Sequence, residues 1–288
     1  RAEVQFLRSF GDRPALELAE PGRLHTIPFR LVRDKVIVRG RVNGRDPIDF
    51  VMDTGAEQTV LSQPVARDLD IEPIANTLSA GVGEVGLRGL QTGRLDSLEI
   101  GSLEVSNLPV IIKSPPLGGL PTPESEGFSP LALGLSMTID YGRQELIVGK
   151  ELPEEPFDIE LPLRQYRLPV VRGVVNDALA RSFVVDTGGE VISISRGTAN
   201  LLPPLTVRQV PLKVYGTSGW DEDAYLRPGT DLVFDELQYR NYSVVVLNLH
   251  RPSALLGFHI GGIVGHSFLS DYRVTIDLNR NVMKLKRL

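Results

Sequence analysis

The sequence contains no cysteine, and its 288 residues include only 4 histidines and 1 tryptophan. The absence of cysteine excludes disulfide bonds, thiolate catalysis and cysteine-ligated zinc. The four histidines share no metal-ligand spacing, so packing or surface roles are expected for them rather than a metal site or a catalytic triad. We therefore expect neither a metal nor another cofactor. These histidines are His25, His250, His259 and His266.

Long apolar runs and blocks of basic charge are also missing. No apolar run approaches the roughly 18 residues that a membrane span needs. The net charge is -5, and the basic residues are scattered along the chain, which argues against nucleic acid as a partner. With 42% hydrophobic and 23% charged residues, the composition is that of a soluble globular protein.

The most informative feature of the sequence is an internal repeat. Seven residues around Asp53 recur 133 positions later around Asp186 without a gap, and further matches follow in the same order after small insertions. Two unrelated domains of similar composition would not keep this order over a hundred residues. The repeat predicts a first lobe at residues 28–150 and a second at 151–288, after a leader at residues 1–27. The ungapped matches are Phe50, Val51, Asp53, Thr54, Gly55, Glu57 and Ser62 with Phe183, Val184, Asp186, Thr187, Gly188, Glu190 and Ser195.

Each copy has the pattern of short β-strands. Runs of β-branched residues alternate with turn residues, as at Asn43-Gly44, and the chain contains 28 glycines and 21 prolines. Helix is expected only in two short segments, at residues 63–69 and 195–202. The fold class predicted is therefore all-β. The role of the leader stays open between a strand of a sheet joining the lobes and a remnant of a pro-segment.

In both copies the triplet Asp-Thr-Gly ends an apolar strand, at Asp53 and at Asp186. A single such triplet is usually a turn at a strand end, but two in repeat register suggest a shared site on a pseudo-twofold axis. Two aspartates held close together cannot both ionise cheaply, so they share a proton. One can then act as a general base toward water and the other as a general acid toward a carbonyl, which is what metal-free peptide hydrolysis needs.

At these motifs the chain resembles the retropepsin and pepsin superfamily of aspartic peptidases, and within it the bacterial proteins with two retropepsin-like halves in one polypeptide. The string from Asp53 to Thr59 is similar to the retroviral form, and Ile263-Val264-Gly265 is similar to the hydrophobic-hydrophobic-Gly element of the family. The resemblance covers residues 27 to 288. It implies two β-barrel lobes with the cleft between them, and a flap hairpin on each lobe.

The resemblance also implies roles for particular residues. Asp53 and Asp186 would be the catalytic pair, supported by Thr54, Gly55, Thr187 and Gly188, with the two threonines locking the loops together. The candidate flaps are residues 81–89 and 215–225. Candidate substrate-binding residues are Glu57, Glu190, Gly83, Tyr215, Gly216 and Trp220. Whether the two glutamates contact substrate or only brace their loops is left open, as is whether Trp220 lines the cleft or anchors the hairpin tip.

The sequence departs from the family pattern in two places. In the first copy Ser125 and Glu126 precede Gly127, which is taken as the counterpart of Gly265, so the apolar pair is missing. In addition, Ala56 and Gly189 replace the Ser or Thr whose hydroxyl donates to the carboxylate in pepsin-type enzymes. Loss of a donor to the charged form raises the pKa of a carboxyl group, so we expect a pH optimum less acidic than that of pepsin.

The function predicted is a single-chain aspartic endopeptidase that binds an extended polypeptide and functions as a monomer. The alternative is a catalytically weak or inactive peptide-binding protein of the same fold, which the altered residues before Gly127 favour. A metal hydrolase is a distant third, because no ligand set accompanies the aspartates. The chain begins at Arg1 without an apolar signal segment, and a periplasmic or secreted location is favoured over a cytoplasmic one.

Overall fold

The computed structural model describes residues 2–83, 87–113, 126–205, 209–216 and 218–288. Within these residues the chain is almost entirely β-structure. The strands are β1 Glu17–Leu18, β2 His25–Pro28, β3 Arg30–Val32, β4 Lys35–Val42, β5 Ile48–Met52, β6 Thr59–Ser62, β7 Ala75–Ala80, β8 Leu87–Ile100, β9 Leu103–Lys113, β10 Gly127–Phe128, β11 Ser136–Asp140, β12 Glu145–Gly149, β13 Ile159–Tyr166, β14 Leu168–Val175, β15 Leu179–Val185, β16 Ser193–Ser195, β17 Val210–Gly216, β18 Gly219–Phe234, β19 Leu237–Leu247, β20 Gly262–Val264, β21 Tyr272–Asp277 and β22 Val282–Arg287.

The helices are short and lie at the ends of strands. They are α1 Ala2–Arg8, α2 Gln63–Asp68, α3 Arg196–Ala199, α4 His250–Leu256 and α5 His266–Leu269, with a 3-10 turn at Leu131–Leu133. Ser62 caps α2 through the amide of Val65, and Ser195 caps α3 through the amide of Thr198. The two predicted helical segments are therefore present, while α1, α4 and α5 were not predicted.

Each lobe is a closed β-barrel built from the same six strands of the repeat. In the first lobe the hydrogen-bonded circuit is β4-β8-β9-β6-β10-β5 and back to β4. In the second lobe it is β14-β18-β19-β16-β20-β15 and back to β14. Closing a sheet into a barrel leaves no unpaired edge in the circuit. The predicted fold of two β-barrel lobes is confirmed.

A further sheet joins the two barrels, in the order β13-β22-β21-β11-β12-β2. Its centre is the antiparallel pair β11 and β21, in which Thr138 lies opposite Thr275 and the two hydroxyl oxygens are 2.9 Å apart. These threonines are matched residues of the repeat, so the pseudo-twofold axis passes between them. Strand β2 pairs with β12, so the end of the predicted leader is a strand of this joining sheet.

Asp140 and Asp277 follow these central strands and hold turns. Asp140 accepts a hydrogen bond from the amide of Arg143 at 2.9 Å, and Asp277 accepts from the amides of Asn279 and Arg280 at 3.0 Å each. Both side chains are buried. This second pair of repeat-matched aspartates is structural, because each carboxylate is occupied by its own turn.

The apolar core fills both barrels and continues across the joining sheet. Its largest fully buried side chains are phenylalanines, among them Phe50 and Phe183, which occupy matched positions of the repeat. Each lies three residues before the aspartate of an Asp-Thr-Gly triplet. Burial of these rings fixes the strands that lead into the two aspartates, at a gain of about 2–3 kcal/mol per ring.

Candidate active site

Asp53 and Asp186 directly follow β5 and β15, at the same position of the two barrels. The amide of Asp53 donates to the carbonyl oxygen of Phe128 at 2.8 Å, and the amide of Asp186 donates to that of Val264 at 3.0 Å. Both side chains are partly exposed. The two aspartates are therefore held by their backbones at matched ends of the two barrels, with part of each residue exposed while the carboxyl group of Asp53 is itself buried.

The glycine of each triplet lies against the carboxylate of the other lobe. A Cβ atom on Gly55 would be 2.7 Å from Cγ of Asp186, and one on Gly188 would be 2.8 Å from Cγ of Asp53. Neither position has room for any side chain, because real Cβ atoms do not approach a carboxyl group so closely. This reciprocal contact brings the two predicted catalytic aspartates together at the interface between the lobes.

Backbone amides also donate to the two carboxylates. Asp53 Oδ1 accepts from the amide of Gly55 at 2.8 Å, whereas Asp186 Oδ1 accepts from the amides of Gly188 at 2.9 Å and Gly189 at 3.0 Å. Amide donors stabilise the charged form of a carboxyl group. Asp186 therefore accepts one more backbone hydrogen bond than Asp53 does.

The pKa of Asp53 is raised to about 8. Burial is the main cause, followed by the negative charge of Asp186 and a hydrogen bond between the two carboxyl groups. The amide of Gly55 and the positive charge of Lys113 oppose this shift. At neutral pH these contacts favour a proton shared by the two carboxyl groups, and the raised pKa is that of Asp53.

Thr54 and Thr187 cross between the lobes directly beneath the carboxylates. Each hydroxyl oxygen accepts from the amide of the other threonine, at 3.1 and 3.0 Å. Each hydroxyl also donates to a carbonyl of the opposite lobe, Thr54 to Val185 at 2.6 Å and Thr187 to Met52 at 2.8 Å. The geometry thus includes the paired threonine bonds that the sequence motif implied.

Glu57 and Glu190 each face a cation from the opposite lobe. Glu57 accepts from Nε of Arg167 at 2.8 Å, and Glu190 lies 3.6 Å from Nζ of Lys35. Lys35 also donates to the carbonyl oxygen of Gly188. The two glutamates therefore brace the Asp-Thr-Gly loops across the lobe interface. Sequence reasoning missed Lys35 and Arg167, although both lie just before the first matched residues of their copies.

Both predicted flaps are hairpins. The first flap is the hairpin of β7 and β8, of which residues 84–86 lie outside the described residues, and the second flap is the hairpin of β17 and β18. In the second flap Tyr215 lies opposite Trp220, and their rings are 5.4 Å apart. This contact supports the hairpin near its tip.

The tips of the two flaps touch each other. The amide of Ser218 donates to the carbonyl oxygen of Val82 at 2.9 Å, and the Ser218 hydroxyl accepts from the amide of Gly81 at 2.9 Å. The backbones approach so closely that a Cβ atom on Gly216 would be 2.6 Å from Cβ of Val82. A Cβ atom on Gly83 would overlap the carbonyl group of Ser218. Ser218 is a contact residue that the sequence analysis missed.

The structure corrects the predicted match between Gly127 and Gly265. Strand β10 pairs with β5 so that Phe128 lies opposite Met52, and β20 pairs with β15 so that Val264 lies opposite Val185. Since Met52 and Val185 are matched residues, Phe128 corresponds to Val264, and Ser129 corresponds to Gly265. The match by sequence was displaced by two residues because it aligned a glycine with a glycine rather than a strand with a strand.

The corrected register shows whether the missing apolar pair in the first copy alters the support of Asp53. The first copy keeps the backbone bond that fixes its aspartate, although it lacks the apolar pair before a glycine. The two loops differ further on, where the amide of His266 donates to the carbonyl oxygen of Gly189 at 2.9 Å. Pro130, the counterpart of His266, has no amide hydrogen to give. The loss therefore affects the next turn and not the aspartate itself.

Histidines and acidic side chains outside this pair form no metal site in the described part of the chain. Among residues 2–83, 87–113, 126–205, 209–216 and 218–288, no three of them are placed to hold a metal ion. His25 is buried beside the Ser102 hydroxyl at 3.1 Å, and the ring of His266 contacts that of Tyr141. Burial lowers the pKa of His266. Within the same ranges no helix is long and apolar enough to cross a membrane.

Comparison with known proteins gives one family and one kind of fold. Residues 38–120 match a family model described as "gag-polyprotein putative aspartyl protease". The structure is similar to the crystal structure of an aspartic proteinase from Irpex lacteus, with a TM-score of 0.55 and 10% sequence identity over 92% of this chain and 97% of that one. At this identity the likeness concerns the fold alone. No curated protein sequence matches the chain.

Proposed function

We propose that this chain is an aspartic endopeptidase, which the family match over residues 38–120 and the likeness of the fold support. Its catalytic pair is Asp53 and Asp186, each supplied by one lobe. The observation that carries the proposal is the reciprocal packing of Gly55 and Gly188 on the two carboxyl groups, together with the raised pKa of Asp53.

In the proposed reaction Asp186 is the general base and Asp53 the general acid. Asp186 takes a proton from a water molecule as its oxygen attacks the carbonyl carbon of the peptide bond, while Asp53 gives its proton to the carbonyl oxygen. The resulting diol collapses when its hydroxyl proton returns to Asp53. The amide nitrogen takes the proton from Asp186 as the C–N bond breaks. A carboxylic acid and an amine leave, and the pair again holds one proton.

An extended polypeptide is the substrate that the cleft fits. Strands β7 and β17 of the two flaps lie at the edges of their sheets, and a peptide in strand conformation can hydrogen-bond to such an edge along its backbone. Because the tips are joined through Ser218, Val82 and Gly81, they must separate before a chain can enter. We propose a monomer, since both halves of the catalytic pair belong to one polypeptide.

The alternative is a peptide-binding protein that has lost catalysis. Its support is the altered element of the first copy, where Gly127 and Phe128 correspond to Ile263 and Val264 of the second. In addition, Ala56 and Gly189 provide no side-chain hydroxyl to either carboxylate. The backbone amides at Gly55, Gly188 and Gly189 supply donors in their place, which favours the enzyme.

The test is cleavage of casein, an unstructured protein, between about pH 3 and pH 7. The wild type, Asp53→Asn and Asp186→Asn are compared, each with and without pepstatin. We expect cleavage by the wild type only, and inhibition by pepstatin. Folded wild-type protein that cleaves nothing at any of these pH values would favour the peptide-binding alternative.

A further inference from the structure

The walls of the cleft next to the two aspartates are built from matched strands but not from matched side chains. In the first lobe Gly127 of β10 is paired with Val60 of β6. In the second lobe Ile263 of β20 is paired with Ser193 of β16. The register places Gly127 in correspondence with Ile263, and Val60 in correspondence with Ser193. The large and small members of this cross-strand pair are therefore exchanged between the lobes.

These four residues lie on the face of the sheet that carries the aspartates. Side chains two residues apart on a strand point to the same face, so Val51 shares a face with Asp53, and Val184 shares one with Asp186. Gly127 lies directly opposite Val51, and Ile263 directly opposite Val184. Directly opposed residues of neighbouring strands also share a face.

Packing in the second lobe confirms that this face looks toward the flaps. Ile263 and Val184 belong to an apolar cluster that also contacts Val82, at the tip of the first flap. The alternate residues Val185 and Val264 point the other way, into the main core. Ile263 thus forms part of the wall beneath the flaps and beside Asp186.

In the first lobe the large side chain of the pair is Val60, which lies on β6, one strand further from Asp53 than Gly127 on β10. Among the residues that the structure describes, a Cβ atom on Gly127 would meet the side chain of Val60 alone, at 3.6 Å, which is ordinary van der Waals distance. Val60 is half-buried and Gly127 is buried, whereas Ile263 is half-buried and Ser193 is buried. Because glycine has no side chain, the wall beside Asp53 lacks the bulk that Ile263 supplies beside Asp186.

Resting on the proposed peptidase function, we propose that the exchange of Val60–Gly127 for Ser193–Ile263 makes the cleft asymmetric in its choice of substrate. The subsite of the first lobe takes a bulky aromatic or long aliphatic side chain next to the scissile bond. The subsite of the second lobe, filled by Ile263, takes a small one. Val51 and Val184 are identical at the neighbouring position, so the difference comes from this one pair.

The first experiment is cleavage of a peptide library, read out by mass spectrometry, for the wild type and for two double substitutions that give one lobe the residue pair of the other. Val60→Ser/Gly127→Ile gives the first lobe the pair of the second. Ser193→Val/Ile263→Gly does the reverse. We expect the wild type to prefer a bulky residue on one side of the cut and a small one on the other. The first exchange should lower kcat/KM for peptides with the bulky residue by about 10- to 200-fold relative to peptides with alanine at the same position.

A milder variant protects the test against misfolding. Gly127→Ala fits the space beside Val60 and fills only part of it, so it should reduce the preference for the bulky residue without abolishing it. The reverse exchange, Ser193→Val/Ile263→Gly, should admit bulky residues on the other side of the cut. Cleavage with the same preferences in the wild type and in all variants would overturn the proposal and leave the peptidase standing.

Binding separates this proposal from the proposed activity. Peptides in which a reduced bond replaces the scissile one, with phenylalanine or alanine on either side, are titrated calorimetrically. Asymmetric binding without any cleavage of ordinary peptides would retain the subsite proposal and contradict the peptidase. Equal binding of both arrangements by a chain that cleaves casein would contradict the subsite proposal alone, and absence of both binding and cleavage would contradict the two together.

Discussion

Thr54 and Thr187 are bonded to each other across the lobe interface, with the amide of each donating to the hydroxyl oxygen of the other at 3.0 and 3.1 Å. Both residues are buried, and each follows its aspartate directly. A displacement of one lobe relative to the other would break four hydrogen bonds at once, because both hydroxyls also donate across the interface. The two threonines therefore set the separation of the aspartates.

Replacement of Thr54 by valine should destabilise the protein. Thr54→Val keeps the shape of the side chain but leaves the amide of Thr187 and the carbonyl of Val185 without their partner. A buried polar group without a partner costs about 1–3 kcal/mol, and a similar loss is expected in the free energy of unfolding measured in urea.

Thr59→Val is the matched control for this substitution. Thr59 is equally buried, but its hydroxyl has no hydrogen-bond partner in the described part of the chain. We expect this variant to be neutral or slightly more stable than the wild type. Equal destabilisation by both substitutions would contradict the role given to the threonine pair.

The raised pKa of Asp53 predicts how stability depends on pH. A carboxyl group with a raised pKa in the folded state contributes stability that is fully present at low pH and is lost as the pH rises toward about 8. The side chain introduced by Asp53→Asn cannot ionise. The free energy of unfolding of this variant should therefore increase relative to that of the wild type between pH 4 and pH 8. The gain should be no more than about 1.4 kcal/mol per pH unit.

The control for this measurement is Asp68→Asn, which removes an exposed carboxylate. The difference in free energy of unfolding between Asp68→Asn and the wild type should change little between pH 4 and pH 8. Urea unfolding at several pH values measures both variants, and parallel curves for Asp53→Asn and the wild type would refute the proton assignment.

The same pKa predicts the pH dependence of the proposed activity. Hydrolysis needs the pair to hold one proton, and the proton on Asp53 is retained until the pH approaches about 8. We expect a pH–rate profile whose optimum is less acidic than that of pepsin and whose alkaline limb falls as Asp53 ionises. An optimum below about pH 3 would be inconsistent with this environment.

The contact between the flap tips predicts a position that is sensitive to a single methyl group. Gly216→Ala would drive its Cβ atom against Val82 and push the flaps apart. We expect KM to rise several-fold, because the flaps can no longer close on a bound peptide, with little change in stability. Gly89→Ala, in the first flap where nothing lies within 4 Å, is the control and should behave as the wild type.

Much of the fold and of the candidate site could be predicted from the sequence because the sequence contains an internal repeat. The repeat located both aspartates and both threonines, since matched strands lead to the same Asp-Thr-Gly turn in the two copies. The flap hairpins followed from the family resemblance. The register of β10 was not accessible, because a two-residue strand has too few side chains to fix its alignment. Its pairing with β5, in which Gly127 lies opposite Val51 and Phe128 opposite Met52, determined the register.

Contacts between the lobes also could not be predicted from the sequence. Lys35, Arg167 and Ser218 are polar residues without a motif, and their partners are more than 100 positions away in the chain. Sequence patterns report the periodicity of single elements, and pairing at this distance depends on how the two barrels are docked.

The most direct test of the account is the activity of Asp53→Asn and Asp186→Asn on casein, measured beside the wild type from pH 3 to pH 8, with circular dichroism to verify that all three proteins are folded. We predict that each single substitution abolishes cleavage, because each lobe provides half of one reaction centre. Cleavage retained in either folded variant would contradict the shared pair of aspartates.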